Sequence, residues 1–255
     1  MNIVLRAAMV AAGETAESLA EKVGVDPKTV ARWVTPGRIP HARHRSVAAE
    51  VLGQDVVDLW PDVLKRREPV WLREWVEWER EATALRWFEL AWVPGLLQTE
   101  AYARATLTGE ALTPEEVDHL VAARLGRQAI LRRDRPPLLT AVLEEAVLRR
   151  SAYGDRKLMR EQCEFLAECA MLPTVQIHLV PVGVGMYPGL GGPFIIAELP
   201  DGERVAHVDS QAQAHVERGP RNIATFDRRW ELIRGEALSR GQSLDLIKEA
   251  ASSWT

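Results

Sequence analysis

The sequence predicts a multi-domain chain: a five-helix domain over residues 1–62, then a mixed α/β domain over residues 70–255 in which helices flank a small mixed sheet. Three observations carry this. Up to Trp60, apolar residues recur at helical spacing in segments that stop at Gly13, Gly24 and Gly53. Further along, the short apolar runs LLTAVL and TVQIHLV alternate with helix-like segments, as strands do when helices cross between them. Between the two regions, Lys65-Arg66-Arg67 and Pro69 suit no packed element, which puts the linker at about residues 61–69.

The totals allow both domains a core. Across 255 residues, 47% are apolar and 27% charged, ordinary values for a globular chain. A net charge of -4 excludes a polycation, so any basic surface must be local. Cys163 and Cys169 are the only cysteines; six apart on a predicted helix, they are expected on different faces, and a reducing compartment fits them. Arg6 interrupts the short apolar N-terminal stretch, which reads as a first domain helix and not a signal peptide. No run approaches a membrane span. The expected localisation is cytoplasmic, without membrane contact, and no metal or cofactor is expected.

Asn2 to Ala12 forms the opening helix, with Ile3, Leu5, Met9 and Val10 available for packing. Thr15 caps the next helix with Ser18 close behind, and Leu19 and Val23 share a face. Gly24-Val25-Asp26 then makes a tight turn: Gly tolerates left-handed angles, Val25 points inward, and Asp26 caps a helix whose first residue is Pro27. That spacing is a helix-turn-helix pattern. On the second helix Val30 and Trp33 or Val34 face the core, leaving Lys28, Thr29 and Arg32 outward, where such helices touch base edges. From Lys28 to Arg45 there are five Lys or Arg, two His and no acid. Arg38, Arg43 and Arg45 are therefore expected to contact phosphates of double-stranded DNA. Helices from His41 to Leu52 and Asp55 to Trp60 close the domain.

The stretch LAEKVGVDPKTVARWVTPGRIP resembles the small helical domain of the phage-repressor (Cro/C1, or XRE) class of bacterial regulators, and the string down to Leu59-Trp60-Pro61 is similar to actinobacterial members. It departs from them after the second helix, where Val34-Thr35-Pro36-Gly37-Arg38 replaces a common Glu-x-Gly loop. The resemblance implies a sequence-specific transcriptional regulator. A single small module makes limited base contact, so a homodimer is expected.

In the second domain Trp71, Trp75 and Trp78 recur at i, i+4 and i+7 on one predicted helix, either packing on that domain or meeting a partner. A short strand near Leu85 and Trp87 leads to VPGLLQTEAYARA, in which Pro94-Gly95 turns and Thr99 caps a helix. A helix opens at Thr113-Pro114-Glu115-Glu116 and runs towards Arg133; its Arg124, Arg127, Arg132, Arg133 and Arg135 are read as an ordinary solvated face, with anion binding as the alternative. LLTAVL, helices from Glu144 to Arg150 and from Asp155 to Met171, and a strand from Thr174 to Val180 make a parallel unit. A hairpin follows across Pro200-Asp201-Gly202, then a helix with Phe226, Trp230, Ile233 and Leu238 on one face, and a weaker tail helix near Leu244 to Ala251.

VPGLLQTEAYARA, with ARLGRQAILRRDRPPLL, VLEEAVLRR and GPFIIAEL, resembles a domain of unknown function found C-terminal to helix-turn-helix modules in actinobacterial regulators and described as toxin-antitoxin-like or Scr-type. The likeness spans roughly residues 70–240. It implies that the second domain holds a small protein encoded nearby, a role that stands beside sensing of a small-molecule effector.

Enzyme chemistry would need His178, His207, Asp209, His215 or the Glu144-Glu145 pair. His207 and Asp209 share a strand face, but no third ligand is spaced to help, and no enzyme is expected. The stretch GVGMYPGLGGP fits neither a dinucleotide fingerprint nor a P-loop. The alternative left open is a mobile loop over a cleft, with Met186 and Tyr187 as ligand or partner contacts.

Overall fold

The computed structural model describes residues 2–35, 38, 40, 42–54, 56–60, 70–108, 112–208 and 215–254. The chain divides into two compact units, 1–70 and 71–255.

The first unit is helical: α1 (Ile3–Ala11), α2 (Ala16–Val23), α3 (Pro27–Trp33), α4 (Ala42–Leu52) and α5 (Val56–Leu59). Local chemistry sets the α2–α3 junction. Thr15 and Ser18 cap α2 reciprocally, each side chain accepting from the other's backbone N–H. Gly24 ends α2 at φ 77°, a left-handed angle that costs a side-chain-bearing residue energy. Asp26 then caps α3, its carboxylate accepting from Lys28 N at 2.8 Å. Leu5, Leu19, Val30 and Leu59 are wholly buried in the core, with Trp33 edge-on to Trp60 at 6.3 Å. Each such aliphatic side chain contributes about 1.5–3 kcal/mol of burial.

Asn2 joins three helices. Its side-chain oxygen accepts from Leu5 N at 3.0 Å to cap α1, its amide donates to Leu59 O at 2.7 Å, and its backbone N–H donates to Val34 O at 2.7 Å. The expected packing of Ile3 and Val10 is corrected here: both are exposed, at 70% and 74%, and Leu5, Ala8 and Met9 supply the buried face. The helix is apolar nearly all round, so composition alone does not choose its covered side.

The second unit is mixed α/β. It comprises α6 (Val70–Glu81), β1 (Ala84–Glu89), α7 (Glu100–Thr106), α8 (Pro114–Arg127), β2 (Leu138–Glu144), α9 (Ala146–Arg149), α10 (Arg156–Cys169) and β3 (Val175–Val180). Then come β4 (Phe194–Glu198), β5 (Arg204–Val208), β6 (His215–Glu217), α11 (Pro220–Gly235) and α12 (Arg240–Ser253). The sheet runs β3-β2-β1-β4-β5-β6. β1 to β3 are parallel, joined through helices, and β4 to β6 are antiparallel.

Period-two alternation divides the core. Leu85, Trp87, Leu139, Ala141, Leu143, Ile177 and Leu179 face α6, α10 and α12; Phe88, Val142, Val180, Phe194 and Ile196 face α11 through Ile223, Trp230 and Ile233. Both faces are covered, which is why β2 reads as a continuous apolar run. Asp227 of α11 fixes that helix to the sheet by ion pairs to Arg86 at 3.2 Å and Arg204 at 2.7 Å.

Several details differ from expectation. The helix opened by Thr113 ends at Arg127 and continues as a 3-10 turn from Gln128 to Arg132. Leu238 lies between α11 and α12, where its N–H donates to Leu179 O and its carbonyl accepts from His178 Nδ1 at 2.9 Å. The tail helix is a full element with a Ser239/Gln242 capping box and buried Ile247 and Ala250. β6, a three-residue strand, was not anticipated. Cys163 and Cys169 both enter the core between α10, α12 and the sheet, and burial pushes their thiols up to about 12 and about 11. The proposed linker, residues 61–69, lies outside the described residues.

Candidate functional site

α3 presents two chemically different sides. Val30 and Trp33 are buried, while Lys28 and Arg32 are exposed and Thr29 is half-buried. Pro27 at the first helical position removes an N–H that would lack a partner, and Asp26 holds the next. Arg38 is exposed too. Arg45 is half-buried, and its Nη1 donates to Pro40 O at 3.1 Å, so part of its guanidinium already serves the fold. The side chain of Arg43 lies outside the described residues, as do Pro36 and Gly37.

A second candidate lies at the carboxyl ends of the parallel strands. The glycine-rich loop leaves β3 and returns as β4 beside β1, so it spans the ends of β2 and β1. Tyr187 anchors it: the phenol donates to Glu144 Oε1 at 2.6 Å, and the ring stands edge-on to Phe88 at 6.4 Å. Burial, then the Glu144 hydrogen bond, push the Tyr187 phenol well above its ordinary pKa. Gly189 closes on that ring so tightly that an added Cβ would lie 2.4 Å from it. Glu145 ties down the loop's start, accepting from Val182 N at 3.2 Å. Met186 is 94% exposed. The loop thus separates its two named residues: Tyr187 serves as an anchor and Met186 faces solvent.

The tryptophan helix sorts differently from the interface alternative. Trp75 is 1% exposed within the core, which removes it from any partner surface. Trp78 is half-buried and carries the Arg218 guanidinium 5.0 Å from its ring centre. The side chain of Trp71 lies outside the described residues.

VPGLLQTEAY, whose residues carry the family likeness, is held by its own side chains together with Arg124 of α8 and Gln162 of α10. Val93 N–H donates to the Tyr102 hydroxyl at 3.3 Å, and Gln98 Nε2 donates to Val93 O at 2.6 Å. Thr99 caps α7, and its N–H donates to Gln162 Oε1 at 2.8 Å, while Gln162 Nε2 donates to Leu97 O at 2.8 Å. Side chains satisfy a buried loop backbone that would otherwise be costly to desolvate. Three of the arginines expected on a solvated face are structural instead. Arg124 donates to Gln98 and Thr106, Arg127 forms a fork with buried Glu79, and Arg133 donates to Ala82 O.

His207 is buried 5.1 Å from the Trp75 ring, and burial, then the Arg127 charge, lower its pKa to about 4. An imidazole held neutral in the core is poorly placed for proton transfer with solvent. Asp209, its expected partner, lies outside the described residues. His178 is buried, with Nδ1 committed to Leu238, and His215 is exposed on β6. Among the described residues no group of three His, Cys, Asp or Glu is placed to hold a metal, and no helix is long and apolar enough to cross a membrane.

Sequence reasoning missed Asn2, Gln98, Gln162 and the pairing of Tyr187 with Glu144. Each has a partner distant in sequence: Asn2 bonds Leu59, Gln98 accepts from Arg124, Gln162 bonds Leu97 and Tyr187 bonds Glu144.

A family model described as a domain of unknown function (DUF5753) matches residues 72–249. No curated protein and no solved structure matches the chain. With the match covering most of its length, the chain belongs to the DUF5753 family.

Proposed function

We propose that this chain is a cytoplasmic, sequence-specific DNA-binding transcriptional regulator that acts as a homodimer, its 71–255 unit binding a partner protein or a small-molecule effector. The observation that carries the reading is the division of α3, with Val30 and Trp33 in the core and Lys28 and Arg32 in solvent. With α2 and the Gly24 turn, this arrangement supports a helix-turn-helix of the phage-repressor (Cro/C1, XRE) kind. Lys28, Thr29 and Arg32 read bases; Arg38, Arg43 and Arg45 meet phosphates. Gel shifts with specific and scrambled duplexes test the division of labour. Arg32→Ala weakens discrimination between them, whereas Arg38→Ala weakens both about equally. Unchanged binding in both variants would refute the assignment.

A second reading, an antitoxin-like interaction protein, draws support from the glycine-rich loop. Val182, Met186 and Leu190 are exposed there, on a stretch without a charged residue. Co-purification with the small protein of the neighbouring gene, lost on Met186→Glu, is the expected result. No complex at micromolar concentrations would count against it.

A further inference from the structure

We propose that the 71–255 unit binds a small oxyanion, a carboxylate or a phosphate group, on the open Nε/Nη2 edge of Arg124. The protein itself uses one end of that guanidinium. Arg124 Nη1 donates to Gln98 Oε1 and to Thr106 Oγ1, both at 2.9 Å. Both acceptors are neutral, and Gln98 is 3% exposed with its amide committed to Val93. Neither offsets a positive charge. Nε and Nη2, the two nitrogens that grip an oxyanion side-on, make no hydrogen bond among the described residues.

One turn along α8 the same geometry is filled. Arg127 presents Nε and Nη2 to Glu79 Oε1 and Oε2 at 2.8 and 2.6 Å, a bidentate carboxylate pair. That carboxylate is therefore spent, and the nearby acids Glu100 and Asp118 pair with Arg104. No carboxylate among the described residues forms an ion pair with Arg124. Among the described residues Glu79 gives its charge to Arg127, and no carboxylate is paired with Arg124.

A guanidinium keeps its proton at all working pH values, so a half-buried arginine cannot relieve its charge as lysine or histidine does. Burial and the neighbouring Arg127 both oppose the cation. An oxyanion seated on the open edge counters both. Gly95 lies beside the stem of this side chain: a Cβ there would be 3.8 Å from Arg124 Cγ and 4.0 Å from Arg127 Nη1, both ordinary contacts, so residue 95 itself sets no side chain against either group. The predicted ligand group is thus the chemical equivalent of Glu79, supplied from solvent to the adjacent arginine.

The test uses the full chain, with unfolding followed by tryptophan fluorescence at fixed pH and ionic strength. Chloride is replaced stepwise by inorganic phosphate in one arm and by acetate in the other. The wild type shows a saturable rise in midpoint with at least one anion, and the arm that responds identifies the group bound. Arg124→Gln removes the rise, Arg124→Lys weakens apparent affinity about tenfold by losing the fork, and Arg32→Ala keeps it. That last variant separates this site from the surface assigned to DNA. Absence of any saturable rise in the wild type, or an undiminished response in Arg124→Gln, overturns the proposal. Should Arg124→Gln not fold, an undiminished response in Arg124→Lys overturns it equally.

Discussion

The Tyr187 phenol donates to Glu144 Oε1 at 2.6 Å, latching the glycine-rich loop to the end of a central parallel strand. Tyr187→Phe keeps the ring on Phe88 and removes only this bond, so the loss is about 1 kcal/mol. Gly189→Ala does more, because its Cβ would meet the ring at 2.4 Å and one of the two must move. Hydrogen exchange at Val184 to Gly191 is expected to quicken in both variants and more in Gly189→Ala. Exchange unchanged in both would show that the latch does not hold the loop.

Acid stability follows from His207. Its pKa falls to about 4 in the fold against 6.5 when unfolded, so between these values the unfolded chain binds the extra proton. The contribution of this residue is complete above pH 6.5 and is lost as the pH falls towards 4, on the order of 3 kcal/mol in all. Urea denaturation from pH 7 to pH 4 is expected to show a steeper decline for the wild type than for His207→Gln. Parallel curves would refute this.

The Glu79–Arg127 pair behaves as a buried ion pair. Arg127→Met leaves the carboxylate of a residue 1% exposed without its counter-ion and costs about 3–5 kcal/mol. Replacing Glu79 by Leu as well restores much of that loss. A double-mutant cycle with no coupling would contradict the geometry.

Asn2→Ala removes the α1 cap and the bond to Leu59 together, and about 1–2 kcal/mol of stability is expected to go with them. The backbone N–H of residue 2, which Val34 O accepts at the end of α3, survives in Asn2→Ala, so any DNA binding by the folded variant is expected to stay near the wild-type level. Unfolding curves and gel shifts on one preparation check both.

What the sequence disclosed was what is local. The Thr15–Ser18 cap, the Gly24 turn, the Asp26 cap and the Thr113–Glu116 box each span only a few residues, so composition and order suffice to find them. The short apolar runs of β2 and β3 exposed the sheet for the same reason. The candidate site was less legible, since its contacts join distant positions: Glu144 to Tyr187, Gln162 to Leu97, Glu79 to Arg127. Arginines near the end of a helix look solvated in sequence because nothing there shows which neighbour is a buried acid. Cys163 and Cys169 point apart on an isolated helix, yet α10 is covered on more than one side, so both are buried. Trp75 and Trp78 share a spacing but not an environment, for the helix axis decides which indole goes deepest.

Contact between α3 and DNA is the central proposal. Nuclease footprinting of the wild-type chain on the promoter region of its own gene, beside Arg32→Ala, tests this most directly. A discrete protected stretch of two related half-sites, weakened in the variant, is the predicted result. Protection that is absent, or spread evenly over the fragment and unaffected by Arg32→Ala, would contradict it.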